Sequence, residues 1–371
     1  MAIIISQIKT TLDEPKDNAV AKALSLLRLS RAETASAKLY KSSVDARRDI
    51  CFVNSVYIAM KDPAKERRLT EKHQNVRLYE PGALSFTRGK ERLRGDVYVA
   101  GFGPAGMFCA LTLCEFGYRP VVLERGADMD SRIRAVEGFW AGGALDPSTN
   151  VQFGEGGAGT FSDGKLNTGV KNERIGWILE QFAEAGASAD ILYDAKPHIG
   201  TDELVTVVQN LREKILHYGG EIRFGTRLTG IEAENGRITA VRIQSADSET
   251  VLPASRVLLA IGHSARDTFE ALHSAGVPME PKPFSMGVRI EHPQRQINEN
   301  QYGPFADAPG LGAADYKLNV QLPSGGSAYT FCMCPGGYVV AAASEPGGVV
   351  TNGMSAVSYT HLRAHETVLD L

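Results

Sequence analysis

The chain has no long apolar run. Nowhere in its 371 residues is there a stretch near the roughly 20 apolar positions that carry a helix across a bilayer. The opening run Ile3 to Ile5 is also too short for the apolar stretch of a secretory signal. Both absences point to the cytoplasm. Cysteine is scarce: Cys51, Cys109, Cys114, Cys332 and Cys334 make five, an odd number scattered over predicted strands and one helix. That argues against a disulfide framework and predicts reduced thiols. No low-complexity tract or internal repeat occurs. With 43% hydrophobic and 22% charged residues, the composition is that of a folded protein of two or three domains.

A net charge of -3 hides an asymmetry. Residues 1–95 carry 19 Lys and Arg against 11 Asp and Glu, a balance of +8, whereas 96–371 carry 21 against 32, a balance of -11. The basic part is where a polyanion such as nucleic acid would bind. Because its cations are interspersed with acids, a solvated face or docking onto the acidic body is the simpler reading.

Glycine, by contrast, is plentiful at 38 residues, and its placement carries the first motif, V-Y-V-A-G-F-G-P-A-G at 97–106. An apolar strand, Val97 to Ala100, runs into Gly101, which can take the angles of an abrupt turn. Gly103 lacks a side chain, so a pyrophosphate can approach its backbone. Pro104 and Ala105 open a helix whose N–H groups and dipole favour an anion, and Gly106 lets that helix pack closely on the strand. Apolar residues Met107, Ala110, Leu111 and Cys114 recur at helical spacing until Gly117. A second strand, Val121 to Leu123, ends at Glu124, where a carboxylate can accept hydrogen bonds from both ribose hydroxyls and would repel a 2′-phosphate. Strand, helix and acid together make a dinucleotide fingerprint that favours FAD or NAD over NADP.

A second match, Gly154, Gly156 and Gly159, lacks that context. It is a glycine-rich loop, in which Gly156, Gly157, Gly159 and Thr160 allow close approach of a planar or phosphorylated ligand. Ser162, Asp163 and Lys165 beside it are hydrogen-bonding candidates.

The pattern predicts an α+β module over 1–80: strands at 3–10, 37–44 and 50–60, and helices at 18–29 and 63–73. Residues 81–95 read as a linker. Residues 96–277 form the dinucleotide domain, irregular after Glu124, then with helices at 174–185 and 201–218, the second with Thr201 as N-cap and Gly219 as stop. A strand at 221–224 precedes a hairpin, 228–233 with 238–244, around Asn235-Gly236. The strand Arg256 to Ile261 ends at Gly262, which suggests a return to the first sheet beside the ligand. Residues 278–355 read as a substrate-side β domain with strands at 285–292, 316–322, 328–334 and 338–344, and antiparallel turns at 324–326 and 335–337. The last residues, 356–371, look like a translated library adaptor, so His361 and His365 are set aside as metal ligands.

The motifs G-F-G-P-A-G (101–106), L-E-R-G (123–126), F-G-E-G-G-A-G-T-F-S-D-G-K-L (153–166), P-H-I-G-T-D (197–202), A-I-G-H-S-A-R-D-T (260–268), K-P-F-S-M-G-V-R-I-E-H-P (282–293) and F-C-M-C-P-G-G (331–337) resemble uncharacterised FAD-dependent dehydrogenases of the glutathione-reductase-like flavoprotein superfamily. The resemblance spans about residues 1–355. It implies a Rossmann-like α/β FAD-binding domain with an inserted β-meander, between the small module and an incomplete, mainly antiparallel substrate domain. It places the pyrophosphate over Gly103 to Gly106, the ribose at Glu124 with Arg125 next to it, the 154–166 loop near the flavin and Gly262 across from it. Family members look longer at the C-terminus.

Flavin supplies its own redox chemistry, so few catalytic residues are needed. The candidates are Lys165, to stabilise an anion, and His198, to exchange a proton near neutral pH. His263 reads as a backbone-positioning residue. Cys332-Met-Cys334 lacks the C-x-x-C spacing and reads as buried strand cysteines. The leading expectation is an FAD-dependent oxidoreductase acting on a small molecule, with NAD(P)H open as electron donor. The alternatives are a flavin-bearing RNA- or protein-binding regulator and an NAD-linked enzyme without flavin.

Overall fold

The computed structural model describes residues 2–80, 89–90, 96–162, 164–166, 168–246, 248–284, 286–308, 310–330 and 333–355, and the backbone of 364–370. Most of the 81–95 linker, Asp163, Cys332 and His361 lie outside the described residues.

The first unit is β1 (Ala2–Thr10), α1 (Asn18–Leu26), β2 (Thr34–Asp45), β3 (Cys51–Met60), α2 (Pro63–Lys72) and β4 (Val76–Tyr79). Its antiparallel sheet runs β2-β3-β1-β4. Strand β3 alternates strictly, with Phe52, Asn54, Val56, Ile58 and Met60 buried, the period a half-covered sheet demands. Ala19, Val20, Ala23 and Leu24 of α1 and Leu69 of α2 pack on that inward face. Helix α1 ends before the predicted Leu29 because Arg28 turns to φ 55°, outside the helical region. Helix α2 starts on Asp62, whose carboxylate accepts from the Ala64 N–H at 3.1 Å. The edge strand β2 meets the body at Ser42, which donates to Tyr193 O and accepts from Ala195 N.

The second unit is built on β5 (Val97–Ala100), α3 (Pro104–Glu115), β6 (Pro120–Leu123), α4 (Met129–Trp140), α5 (Arg174–Glu184), α6 (Thr201–His217), β7 (Glu221–Arg223), β8 (Thr226–Glu234), β9 (Arg237–Ser245), β10 (Ser248–Pro253) and β11 (Arg256–Leu259). The strands β11-β5-β6-β7 form a parallel sheet. Both faces of β5 and β6 are buried, as in a sheet covered on two sides. Val99 and Val122 face the helices, among them Leu111 of α3 and Leu211 of α6. Tyr98, Ala100, Val121 and Leu123 face the antiparallel sheet β10-β9-β8. The predicted return of the chain is real: β11 pairs with β5.

Two differences from the sequence reading arise here. The region after Glu124 is not irregular: α4 is capped by Asp128, whose carboxylate accepts from Ser131 N at 3.0 Å. Its residues Met129, Arg132 and Val136 face inward at helical spacing, a pattern obscured because the middle one is charged. Thr201 is the first helical residue and not the N-cap, which is Gly200; its hydroxyl instead donates to Ser162 O at 2.7 Å. A third strand, β10, joins the hairpin, so the insertion is the meander that the resemblance implies.

Helix α7 (Arg266–Ser274) follows β11 and packs on β8 of the second unit, and the third unit holds β12 (Met286–His292), α8 (Gln294–Tyr302), β13 (Asn319–Gln321), β14 (Ser327–Thr330), β15 (Tyr338–Ala341), β16 (Thr351–Met354) and β17 (Ala364–Asp370). Helices α7 and α8 were not predicted, being short and polar. The 324–326 turn joins β13 and β14 as expected. The 335–337 turn does not create a hairpin, since β14 is flanked by β13 and β17 while β15 pairs with β16. The β15-β16 pair closes on the central unit through Val340, Ala342 and Met354, packed with Val136 and Phe161, and through Trp140 Nε1 to Ala341 O. No helix among the described residues is long and apolar enough to cross a membrane.

Candidate functional site

A cleft of about 560 Å³ opens at the C-terminal ends of β5, β6 and β11, within the size range of small-molecule sites. Its floor is Gly101, Gly103, Pro104 and Ala105. One wall is Leu123, Glu124, Arg125 and the loop 152–159, and the other is 259–264 with α7 and 277–279. Ligands of open α/β sheets bind at this end of the strands.

The floor is narrow because glycine makes it so. At Gly106 a Cβ would lie 1.9 Å from Gly101 O, and at Gly101, itself at φ 100°, one would lie 2.3 Å from Ala260 O. The helix, β5 and the end of β11 therefore touch backbone to backbone. Gly157, at φ 64°, would carry a Cβ only 2.8 Å from Gly103 Cα, so the glycine-rich loop lies against the α3 N-terminus. That terminus offers the Ala105 N–H group and the positive end of its dipole to an anion.

Glu124 differs from its expected role. Its carboxylate is buried, with Oε2 accepting from Phe102 N at 2.7 Å and Oε1 from Gly126 N at 2.9 Å and Gly154 N at 3.0 Å. A carboxylate offers about four acceptor positions, so Glu124 holds three loops together and keeps one position for a ligand, not two. Arg125 donates from Nη2 to Asp267 Oδ1 at 2.7 Å and to Thr268 Oγ1 at 3.1 Å, and its guanidinium lies 4.3 Å over the Phe153 ring. Asp267 also accepts from Arg227 at 2.6 Å. Burial pushes the Asp267 carboxyl up, but the hydrogen bond and charge of Arg125, with Arg227, outweigh it and hold the group below its ordinary 3.8.

Behind the loop lies a charged core absent from the sequence reading. Arg132 is fully buried, and its guanidinium donates to the carbonyls of Asn150, Val151 and Glu155 while facing the Phe161 ring at 4.8 Å. Burial lowers its pKa to about 10, against the opposing pull of Glu124 and Glu155. Glu155, also fully buried, accepts from Met129 N at 2.7 Å and from Arg212 at 2.8 Å. Burial raises its pKa in spite of Arg212.

Of the sequence-predicted ligand residues, Gly101, Gly103, Pro104, Ala105, Glu124, Arg125, Gly157, Gly159 and Gly262 line the cleft. Gly106, Gly156 and Thr160 do not line it. Gly156, at φ 83°, would carry a Cβ against Thr160 Oγ1, so this pair shapes the loop from behind. Lys165 and His198 come together as an antiparallel bridge and are not among the lining residues; His198 is exposed. His263 lines the cleft. Cys334 is buried, and burial raises the pKa of Cys109 and Cys114. Among the described residues no His, Cys, Asp and Glu cluster fits a metal.

Residues 283–367 match the family model described as FAD-dependent protein, C-terminal domain-like. The match reaches into the segment 356–371. A protein of Clostridium beijerinckii, described as uncharacterized, is 44% identical over 363 residues, covering 96% of this chain and 66% of the relative. The chain thus spans just under two thirds of that relative's length. Among solved structures, Thermovibrio ammonificans THI4 is 20% identical over 49% of this chain and 63% of its own, with a TM-score of 0.32. The OxyS anhydrotetracycline hydroxylase of Streptomyces rimosus is 16% identical over 74% of this chain and 45% of its own, with a TM-score of 0.33. The flavin-dependent monooxygenase PieE, solved with FAD and substrate, is 14% identical over 75% of this chain and 43% of its own, also at 0.33.

Proposed function

We propose that the cleft holds FAD and that the chain is the FAD-binding part of an oxidoreductase. The observation that carries this reading is the floor: three backbones pressed together by Gly101, Gly106 and Gly157 around a helix N-terminus. The family match over 283–367 supports it independently.

In this reading the N–H group of Ala105 binds the pyrophosphate, because it has no partner inside the helix and the dipole end is positive. The remaining acceptor position of Glu124 takes one ribose hydroxyl. Arg125 over Phe153 forms a flat wall that orients the adenine side, and α7 is pinned to it through Asp267. The loop 152–159 and the turn at Gly262 close the cleft from opposite sides and exclude water. When bound, the flavin supplies two-electron redox chemistry. Lys165 and His198, whose backbones bridge outside the cleft lining, are the residues proposed for charge and proton handling on a substrate.

The test is a visible absorption spectrum of the purified chain, before and after anaerobic NADH or NADPH. Flavin bands are expected, and bleaching by either nucleotide would make NAD(P)H the electron donor. A colourless protein that also fails to take up added FAD, while melting cooperatively, would overturn the reading.

A further inference from the structure

We propose that the helix-free face of the β2-β3-β1-β4 sheet binds single-stranded nucleic acid. The two helices cover one face of this sheet, and the register fixes what the other presents. Lys38, Tyr57, Ile4 and Arg77 form one row across all four strands, since Lys38 and Ile4 both pair with Tyr57 and Ile4 pairs with Arg77. Directly opposite residues of an antiparallel ladder share a face. In the next row Tyr79 pairs with Ala2, a residue small enough for the ring to lean across it.

The result is a cluster of three half-buried tyrosines. Tyr79 lies 5.3 Å from Tyr40 and 5.9 Å from Tyr57, edge to face in both cases. Each flank carries a cation above a ring: Lys38 Nζ is 5.7 Å from the Tyr57 centroid and Arg77 Cζ is 5.9 Å from that of Tyr79. Lys41 and Lys9 point to the same side through their pairing with Ser55 and Val53. All four cations are exposed, and none forms an ion pair with any described residue. The acid on this face, Asp45, is already bound by Arg47.

Aromatic rings on an open four-stranded sheet offer platforms for unpaired bases, and unpaired cations around them take the phosphates between those bases. One-signed charge around clustered rings favours a polyanion with planar groups over a protein surface, which would be met by both charge signs and a larger apolar patch. Here the rings come from β2, β3 and β4, while Ile4 of the inner strand β1 is buried beneath them. The surface lies apart from the cleft residues and does not depend on the flavin reading.

The experiment is fluorescence anisotropy of the full chain with a labelled uridine oligomer of about 12 nucleotides, as RNA and as the DNA counterpart, across a salt series. Binding is expected to weaken with salt at about 0.7 log units per phosphate contact, giving a slope near -3. Lys38→Gln with Lys41→Gln should flatten that slope by about 1.4. Tyr57→Leu should cost about 10-fold in Kd with the slope unchanged, and Tyr57→Phe should bind as the parent does. The lysine pair is exposed, so that variant reads the surface even where Tyr57→Leu fails to fold. No binding overturns the proposal. So does salt-dependent binding that heparin or polyglutamate displaces as well as RNA does, or that the lysine changes leave intact.

Discussion

At the residue scale, glycines at the cleft divide into two kinds that sequence alone treats alike. Gly103 has φ -76°, and a Cβ there would meet only Gly157 Cα, at 3.6 Å. Gly157 has a positive φ and would clash with Gly103 at 2.8 Å. Gly103→Ala should therefore melt within about 1 kcal/mol of the parent yet lose at least about 10-fold in flavin affinity, because its methyl occupies the phosphate approach. Gly157→Ala should lose about 2 kcal/mol or more of stability whether or not flavin is present. Chemical denaturation and flavin titration of the two variants check both halves. Glu124 illustrates what a motif hides. Its position at the end of β6 was legible from the acid's spacing, but the three N–H groups it accepts come from residues 102, 126 and 154, and only the folded loops bring those together.

At the element scale, the loop 150–157 is held by α4 through Arg132, a side chain with no exposed surface. Arg132→Leu leaves the Asn150, Val151 and Glu155 carbonyls without their donor. It should cost about 3 kcal/mol or more in stability and release bound flavin, both measurable in one thermal melt followed by flavin fluorescence. The ion pairs of Asp267 join the α7 wall to Arg125, just beyond β6, and to Arg227 of β8. A folded pKa below the ordinary 3.8 means that the native state binds fewer protons than the unfolded one. The stabilisation is thus fully present above 3.8 and disappears as pH falls through the depressed value. Asp267→Asn should melt below the parent at neutral pH, with the gap closing in strong acid. A gap independent of pH would rule out this account. The elements found from sequence include those with a clean period, β3, α5 and α6, and the short apolar runs β5, β6 and β11. The helices missed, α4, α7 and α8, put Arg132, Thr268 and Gln294 at inward positions. Buried polar residues break the apolar period that reveals a helix, and here they sit where the chain builds its loops and cleft.

At the scale of the whole molecule, apolar residues of β12 remain uncovered. Met286, Val288 and Ile290 recur every second position with exposures of 70%, 66% and 41%. Phe284 beside them is 81% exposed. Such a stripe favours association between chains. Val288→Lys should lower concentration-dependent light scattering without shifting the melting temperature by more than a few degrees. The charge asymmetry of the sequence also acquires a place: part of the basic excess lies on the open sheet of the first unit, away from the cleft.

The pairing of β11 with β5 has a consequence in time as well as in space. The two strands are neighbours in the sheet, yet all of α3 to β10 lies between them in the chain. During synthesis the first unit has its whole sheet once Tyr79 has emerged, whereas the cleft lacks one wall until α7 has followed β11 out of the ribosome. Closing such a distant contact is slow compared with local pairing. A nascent chain therefore carries a finished N-terminal sheet for many seconds before it has anywhere to put a cofactor.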